Sequence, residues 1–231
     1  MLTLDGCRIV QGDFALTADF AVNAGARVSI IGPSGAGKST LLAAIAGFLP
    51  LAGGRILWTG KDIAVQPPGA RPLSIIFQDN NLFPHLTAFQ NVALGLKPSL
   101  RLAESEAAQV RDALARTGLA GLEDRKPSEL SGGQQSRVAL ARVLLRGRPI
   151  LLMDEPFAAL GPALRAEMLD LVKTLAAETG ATLLMVSHDP ADAKRLGGQT
   201  VVVAEGRAEP PVETGLLFAD PPQVLRDYLG D

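Results

Sequence analysis

The sequence predicts an α/β fold in which helices flank a mainly parallel β-sheet and a helical lobe covers residues 79–148. Four apolar runs are continuous rather than alternating, which is typical of strands buried on both faces of a parallel sheet. These runs are residues 28–31, 73–77, 150–153 and 182–186. Amphipathic helical patterns lie between the runs, as parallel crossovers require. No convincing strand occurs over residues 79–148, which predicts the lobe.

Three helices can be placed from their apolar faces and end residues. One apolar stripe runs over residues 164–175, and Gly180 follows in the position favoured after a helix end. Asp189 and Pro190 are a typical N-cap and first-turn pair. The final segment, from Asp220, suits a short amphipathic helix rather than a further domain. We therefore expect residues 1–231 to form a single domain.

Composition excludes several classes of protein. The 231 residues are 47% hydrophobic and 20% charged, which is normal for a globular domain. A formal net charge of -2 provides no global positive field, so nucleic acid is not an expected partner. One cysteine and two histidines can form neither an internal disulfide nor a structural zinc site, which favours the cytosol.

The chain carries no recognisable membrane-directing segment. Residues 1–12 include Asp5, Arg8 and Gln11 and lack the apolar core of a signal peptide. No stretch reaches the roughly 18 uncharged apolar residues that a membrane helix needs. We expect any contact with a membrane to be made through a partner.

Each apolar run is followed directly by residues that can carry chemistry. The residues after the runs are Gly32, Gln78, the pair Asp154 and Glu155, and the pair Ser187 and His188. Ligands of open α/β sheets bind outside the carboxyl ends of the strands. The four strand ends therefore predict one shared site.

Residues 32–39, the phosphate loop, read GPSGAGKS and match the full G-x-x-x-x-G-K-S pattern between a strand and a helix expected to begin near Thr40. Backbone N–H groups of such a loop surround phosphate oxygens, the lysine reaches the β- and γ-phosphates, and the serine hydroxyl binds magnesium. Lys38 and Ser39 are the residues with these roles. The other expected phosphate contacts are Gly32, Pro33, Ser34, Gly35, Ala36, Gly37 and Thr40. The alternative is an ordinary glycine-rich turn.

Two further motifs carry chemistry. Residues 150–155, ILLMDE, end a buried strand in two carboxylates, of which Asp154 suits magnesium coordination and Glu155 suits activation of the attacking water. Residues 130–134 read LSGGQ, where Ser131 and Gln134 form a capping box at the start of a helix. That helix start is a second anion site, for which one phosphate loop has no evident use in cis, although it also fits a simply well-capped helix.

These motifs, with Gln78 and His188 in the same order and spacing, resemble the nucleotide-binding subunits of ABC transporters over nearly the whole chain. The resemblance implies a P-loop NTPase-type ABC ATPase fold, ATP and Mg²⁺ as ligands, and a head-to-tail homodimer. In that dimer residues 131–134, Ser131, Gly132, Gly133 and Gln134, bind the ATP held by the partner's phosphate loop. Gln78 senses magnesium and the transmembrane partner, and His188 contacts the γ-phosphate. His85 is expected to be ordinary surface.

Residues 77–100 are most similar to the ATPase subunit of bacterial thiamine importers. The resemblance implies two transmembrane permease subunits, a solute-binding protein that acts indirectly, and a peripheral position on the cytoplasmic face of the bacterial inner membrane. ATPase subunits of iron, polyamine or sulfate importers are the alternative. A soluble ABC ATPase acting on ribosomes or DNA fits less well, because the chain has one nucleotide site and no long heptad run.

The chain departs from the family pattern in two segments, at three positions. Where the family has an aromatic residue for adenine, this chain has Gln11, and Phe14 is the nearest ring. Where the family has serine and aspartate after the catalytic glutamate, this chain has Ala158 and Gly161. A module that binds ATP without hydrolysing it is therefore a further alternative.

Overall fold

Eleven strands form one continuous sheet in a computed structural model that describes residues 1–229. In chain order the strands are β1 (Leu2–Gln11), β2 (Phe14–Val22), β3 (Arg27–Ile31), β4 (Gly53–Trp58), β5 (Lys61–Asp62), β6 (Leu73–Ile76), β7 (Ile150–Asp154), β8 (Thr182–Val186), β9 (Gln199–Ala204), β10 (Arg207–Ala208) and β11 (Val212–Glu213). The helices are α1 (Lys38–Ala46), α2 (Ala88–Ala93), α3 (Glu104–Arg116), α4 (Gly132–Arg146), α5 (Pro162–Thr179), α6 (Pro190–Leu196), α7 (Thr214–Ala219) and α8 (Gln223–Leu229).

The parallel half of the sheet contains all four predicted strands. Its order is β9, β3, β8, β7, β6, and every neighbouring pair in this series is parallel. The strands are almost fully buried, which accounts for their continuous apolar runs. Because they are parallel, β3, β6, β7 and β8 all end at the same edge. The predicted α/β fold with helices on a parallel sheet is confirmed.

An antiparallel half was not predicted from the sequence. Strands β5, β4, β1 and β2 pair in that order, and β10 joins β2 to β9. In β2 buried and exposed residues alternate, as expected of a sheet covered on one face. The β1–β2 hairpin turns at residues 12 and 13, so Gln11 pairs with Phe14. This turn brings both candidate adenine contacts to one place.

No strand lies between β6 and β7 in the described chain. Helices α2, α3 and α4 pack there around a separate apolar cluster that includes Val92, Val110, Leu114 and Val138. The helices predicted from end residues are present, and Gly180 ends α5 in the left-handed conformation with φ 66°. Asp189 caps α6 through its side chain. Helix α1 begins at Lys38, two residues before the predicted start at Thr40.

Arg71 is a buried cation that caps helix α1. Its side chain donates to the carbonyl oxygens of Ala44 and Ile45 at 2.8 and 2.7 Å, and to those of Gln66 and Ala64. The residue is only 3% exposed. Since α1 carries the phosphate loop at its other end, Arg71 stabilises the element that positions the site.

We expect Arg71→Met to lower the free energy of unfolding by about 2 to 4 kcal/mol, because buried carbonyl groups lose their donors. Urea unfolding of the purified chain measures this change. Arg8→Met is the matched control, because Arg8 is exposed on β1 and we expect a change of at most about 0.5 kcal/mol there. Equal stability of the two variants would contradict the capping role of Arg71.

Within residues 1–229, no helix combines the length and the hydropathy that crossing a bilayer requires.

Candidate nucleotide-binding site

The phosphate loop connects β3 to α1 in a conformation that only glycine allows at two positions. Gly32 has φ 146°, and a Cβ atom there would lie 2.0 Å from the carbonyl oxygen of Val203. Gly37 has φ 102°, and a Cβ atom there would lie 2.5 Å from Cζ of Phe14. The loop is thus packed between β9 and the Phe14 ring, which fixes the directions of its backbone N–H groups.

Lys38 lies over the phosphate loop at the first turn of α1. The side chain is 7% exposed, and Nζ donates to the carbonyl oxygens of Gly32 and Pro33, both at 2.8 Å. Burial lowers the pKa of Lys38, while the negative charges of Glu155 and Asp154 act in the opposite direction. The ammonium group therefore sits in a poorly solvated place, where an anion would be bound strongly.

Ser39 and Asp154 meet across the edge of the sheet. The Ser39 hydroxyl donates to Oδ1 of Asp154 at 2.9 Å, although the residues come from α1 and β7. Burial raises the pKa of Asp154, the hydrogen bond from Ser39 lowers it, and the charge of Glu155 raises it. One carboxylate and one hydroxyl fit Mg²⁺, which usually takes few protein ligands and completes its shell with phosphate oxygens and water. Accordingly, no cluster of three or more metal-binding side chains occurs in the described residues.

Glu155 and His188 form the second pair at this edge. Glu155 Oε2 and His188 Nδ1 lie 3.1 Å apart and share a hydrogen bond. Glu155 adopts φ 46°, which is uncommon for a residue with a Cβ atom, and its N–H donates to the carbonyl oxygen of Val186 at 3.2 Å. The backbone therefore turns the carboxylate away from β7 and towards His188.

A cavity of about 380 Å³ borders Lys38, Ser39 and Glu155. Its lining residues are Gln11, Phe14, Ser34, Gly35, Gly37, Lys38, Ser39, Thr40 and Glu155. The structure therefore brings together the phosphate loop, the β1–β2 hairpin and the second carboxylate of the ILLMDE motif. Gln11 is exposed and Phe14 is half-buried, so either side chain could face a base bound here.

Residues 130–134 lie outside this cavity. Ser131 caps α4, with Gln134 N–H donating to its hydroxyl at 3.3 Å and Ser131 N–H donating to Gln134 Oε1 at 2.9 Å. This capping box was predicted. Ser131 and Gly132 are exposed, whereas Gly133 is buried, and a Cβ atom there would lie 2.5 Å from Cδ2 of Leu164. The start of α4 therefore lies at the surface and does not border the cavity formed by the chain's own phosphate loop.

Gln78 follows β6 at the same edge of the sheet and is exposed. Within the described residues it does not line the cavity around Lys38. The loop after it is fixed to α4, because Arg142 donates to the carbonyl oxygens of Asn80 and Asn81 at 2.9 Å each. Gln78 is therefore carried on a loop that is anchored to the helical segment.

Sequence reasoning missed an ion pair that fixes the chain around His188. Arg165 of α5 and Asp192 of α6 contact at 2.5 Å, and the Ser187 hydroxyl donates to the same carboxylate oxygen at 2.6 Å. An acidic residue in the first turn of α6 was a visible feature of the sequence, but its arginine partner was not. Gly161, one of the three departures, is the N-cap of α5 and provides no side-chain cap.

The family model described as ABC transporter matches residues 16–158, which is more than half of the chain. The chain belongs to the ABC transporter family. The resemblance drawn from the phosphate loop and the LSGGQ motif is thereby confirmed. As an ABC ATPase, the chain belongs to a family that binds ATP, and it hydrolyses ATP as its enzymatic activity.

This ABC ATPase is similar over nearly its whole length to ATP-binding proteins of known transporters. The thiamine import ATP-binding protein ThiQ of Cereibacter sphaeroides is 63% identical over 230 residues, covering 100% of both chains. The ATP-binding cassette MJ0796, solved as a dimer in a post-hydrolysis state with ADP and Pi, is 31% identical with a TM-score of 0.77, covering 93% of this chain and 99% of that one. The cbiO1 protein of Clostridium perfringens, part of the cbiONQ transporter complex, is 30% identical with a TM-score of 0.84, covering 98% and 93%.

Proposed function

We propose that this ABC ATPase drives the import of thiamine, or of thiamine phosphates, through a membrane transporter. The full-length relative that is 63% identical is a thiamine import ATP-binding protein, and this observation carries the choice of solute. It agrees with the resemblance of residues 77–100 to such subunits. The two substitutions at Ala158 and Gly161 do not favour a non-hydrolysing module, because Lys38, Asp154 and Glu155 are all in place.

The phosphate groups of ATP are held by the phosphate loop. Backbone N–H groups of the phosphate loop, other than at Pro33, donate to the phosphate oxygens, and Lys38 exchanges its bonds with two loop carbonyls for bonds with the β- and γ-phosphates. Ser39, Asp154 and Gln78 are the proposed magnesium ligands, directly or through water. Magnesium, when bound, neutralises charge that develops on the phosphates during hydrolysis.

Glu155 acts as the general base. Its carboxylate borders the cavity next to Lys38, so a water beside the γ-phosphate lies within its reach. His188 shares a hydrogen bond with this carboxylate and orients it, and its exposed ring contacts the γ-phosphate. The oxygen of the attacking water bonds to the γ-phosphorus and its proton passes to Glu155. The bond between the γ-phosphorus and the β–γ bridging oxygen breaks, and Lys38 balances the negative charge that develops on the leaving ADP.

We infer that ATP is bound between two copies of this chain. Ser131, Gly132, Gly133 and Gln134 lie outside the cavity around Lys38, yet they form an exposed helix start suited to a phosphate. A head-to-tail homodimer places this helix start over the partner's phosphate loop. The structural relative MJ0796 is dimeric with ADP and Pi.

The remaining assignments concern the assembly. Residues 1–231 act as one nucleotide-binding domain, with residues 79–148 as its helical lobe. Two of these domains bind two transmembrane permease subunits, and a solute-binding protein acts on the complex indirectly. The domain lies at the cytoplasmic face of the bacterial inner membrane as a peripheral subunit. Nucleic acid is not a proposed partner, because the net charge is -2.

We expect Gln11→Tyr to tighten ATP binding about two- to tenfold, because stacking of a ring contributes about 0.5 to 1.5 kcal/mol. Gln11 lines the cavity at the hairpin, where a ring could reach a base. Titration with a fluorescent ATP analogue measures the change. Unchanged affinity in Gln11→Tyr, together with a loss of affinity in Phe14→Ala, would assign the stacking to Phe14 instead.

Reconstitution tests the choice of solute. The chain is assembled in proteoliposomes with the membrane proteins encoded beside it, and uptake of labelled thiamine is followed with ATP inside the vesicles. We expect unlabelled thiamine to compete and iron, polyamines and sulfate not to compete. Uptake of one of those solutes in place of thiamine would refute thiamine import while leaving ATP hydrolysis intact.

A further inference from the structure

Tyr228 connects the C-terminal helix α8 to His188. Its hydroxyl donates a hydrogen bond to the backbone carbonyl oxygen of His188, 40 residues earlier in the chain. Among the described residues, His188 makes one other hydrogen bond, which joins its ring to Glu155. The position of the imidazole therefore depends on two contacts, and one of them comes from α8.

The residues on either side of His188 are fixed by other elements. Ser187 donates to Asp192 of α6 at 2.6 Å, and Asp189 N–H donates to the Ser187 hydroxyl at 3.0 Å. Arg165 of α5 holds the same Asp192 carboxylate. We call residues 187–189 the switch loop. Its two flanks are anchored to α5 and α6, while the carbonyl of its central residue is held by α8.

Helix α8 also packs beneath the phosphate loop. Tyr228 and Leu225 belong to an apolar cluster with Ile31, the residue directly before Gly32. Tyr228 also lines a cavity with residues 33–36 of the phosphate loop. A tyrosine hydroxyl is protonated at neutral pH and can donate a hydrogen bond, and burial together with the charges of Asp189 and Glu155 raises the pKa of Tyr228 further. One short helix thus bonds to the loop that carries His188, packs against the end of β3 and borders a cavity beside the phosphate loop.

We propose that Tyr228 is a positioning residue for ATP hydrolysis, which holds His188 against Glu155 and fixes the switch loop relative to the phosphate loop. The inference rests on the proposed roles of Glu155 and His188 in hydrolysis. Tyr228 itself touches neither the reacting phosphate nor the attacking water, since its hydroxyl is bonded to a backbone carbonyl. It acts only through the placement of the histidine.

Steady-state kinetics test the proposal with Tyr228→Phe, which keeps the ring in its apolar cluster and removes only the hydroxyl. We expect kcat for ATP hydrolysis to fall about three- to tenfold, with the KM for ATP changed by less than about twofold, because Lys38 and the backbone of the phosphate loop, which make most of the contacts to bound ATP, are untouched. Arg226→Gln is the control on the same helix, because Arg226 bonds to Pro221 and Asp220 rather than to the switch loop. We expect this control to retain wild-type kcat.

Proton NMR tests the position of His188 independently of turnover. The chain has two histidines, so His85→Gln assigns both imidazole resonances directly. We expect Tyr228→Phe to shift the His188 resonance and leave that of His85 unchanged. Wild-type kcat in Tyr228→Phe, or an unchanged His188 resonance, would overturn the positioning role. Wild-type kcat in both Glu155→Gln and His188→Ala would instead refute the proposed roles of these two residues in hydrolysis.

Discussion

Lys38→Ala is expected to lower ATP hydrolysis by at least about a hundredfold. The substitution removes the ammonium group that the structure places over the phosphate loop, in a buried position where its charge is poorly screened. The loss should also weaken ATP binding, because the ground state and the transition state both carry charge on the phosphates. Phosphate release and equilibrium binding of ATP measure the two effects separately.

Lys61→Ala is the matched control for this substitution. Lys61 is exposed on β5, which lies at one end of the sheet and is separated from β3 by five strands. Its substitution by alanine removes the same positive charge from the chain as Lys38→Ala. We expect wild-type turnover in this control. Wild-type turnover in Lys38→Ala would show that residues 32–39 do not bind the phosphates, and thermal unfolding of both variants identifies any loss of the fold.

Glu155→Gln is expected to slow hydrolysis by about 10²- to 10⁴-fold, which is typical of a missing general base. The amide has nearly the same shape as the carboxylate and can still share a hydrogen bond with His188. Lys38, Ser39 and Asp154 are untouched, so we expect ATP to bind and to persist. Single-turnover hydrolysis with labelled ATP measures the rate.

Glu205→Gln is the control for Glu155→Gln. Glu205 is also a glutamate with positive φ, at 50°, and it is exposed in the turn between β9 and β10. We expect its substitution to leave the hydrolysis rate unchanged. A loss of ATP binding in Glu155→Gln, rather than a slow chemical step, would contradict the assignment of Glu155 as base.

The sequence predicted the parallel half of the fold and the groups at its edge because both depend on local pattern. Continuous apolar runs identified β3, β6, β7 and β8, and the residue after each run identified the site. Parallel pairing then brought Ser39 within 2.9 Å of Asp154 and Glu155 within 3.1 Å of His188. The sequence could not predict these distances, but it did predict that the side chains after the four strands lie together at one edge of the sheet.

The antiparallel half was missed because its strands are buried on one face only. In β2 the buried residues Leu16, Ala18 and Phe20 alternate with exposed ones, so no continuous apolar run marks the strand. Strand β4 begins with two glycines, which weaken any strand pattern. In β2, buried residues recur at every second position, and this alternation was the sequence feature that indicated a strand.

Contacts between distant side chains and backbone carbonyls were beyond sequence reasoning. Arg71 caps α1 from 26 residues away, and Tyr228 bonds to His188 across 40 residues. Every residue has a backbone carbonyl oxygen, so the amino-acid sequence does not show which carbonyl a distant side chain bonds to. Such contacts follow only from the packed fold, which is why the support of the switch loop by α8 emerged from the structure.

Light scattering on the Glu155→Gln protein tests most directly the central claim that ATP is bound and hydrolysed between two copies of this chain. Because slow hydrolysis preserves bound ATP, and ATP favours the state in which it fills the interface, we expect a stable dimer with ATP and a monomer with ADP. Ser131→Arg in the same protein adds bulk at the exposed start of α4, where the proposed dimer places the γ-phosphate bound by the partner. We expect this double variant to bind ATP but to remain monomeric.

Thr87→Arg in the Glu155→Gln background is the control, because Thr87 caps α2 with the same capping-box geometry as Ser131 in α4. Both substitutions remove a cap that stabilises a helix by about 1 kcal/mol, so a general loss of stability would affect both proteins similarly. The account predicts an ATP-dependent dimer with Thr87→Arg and a monomer with Ser131→Arg. Equal dimer fractions in the two proteins would contradict ATP binding between two subunits.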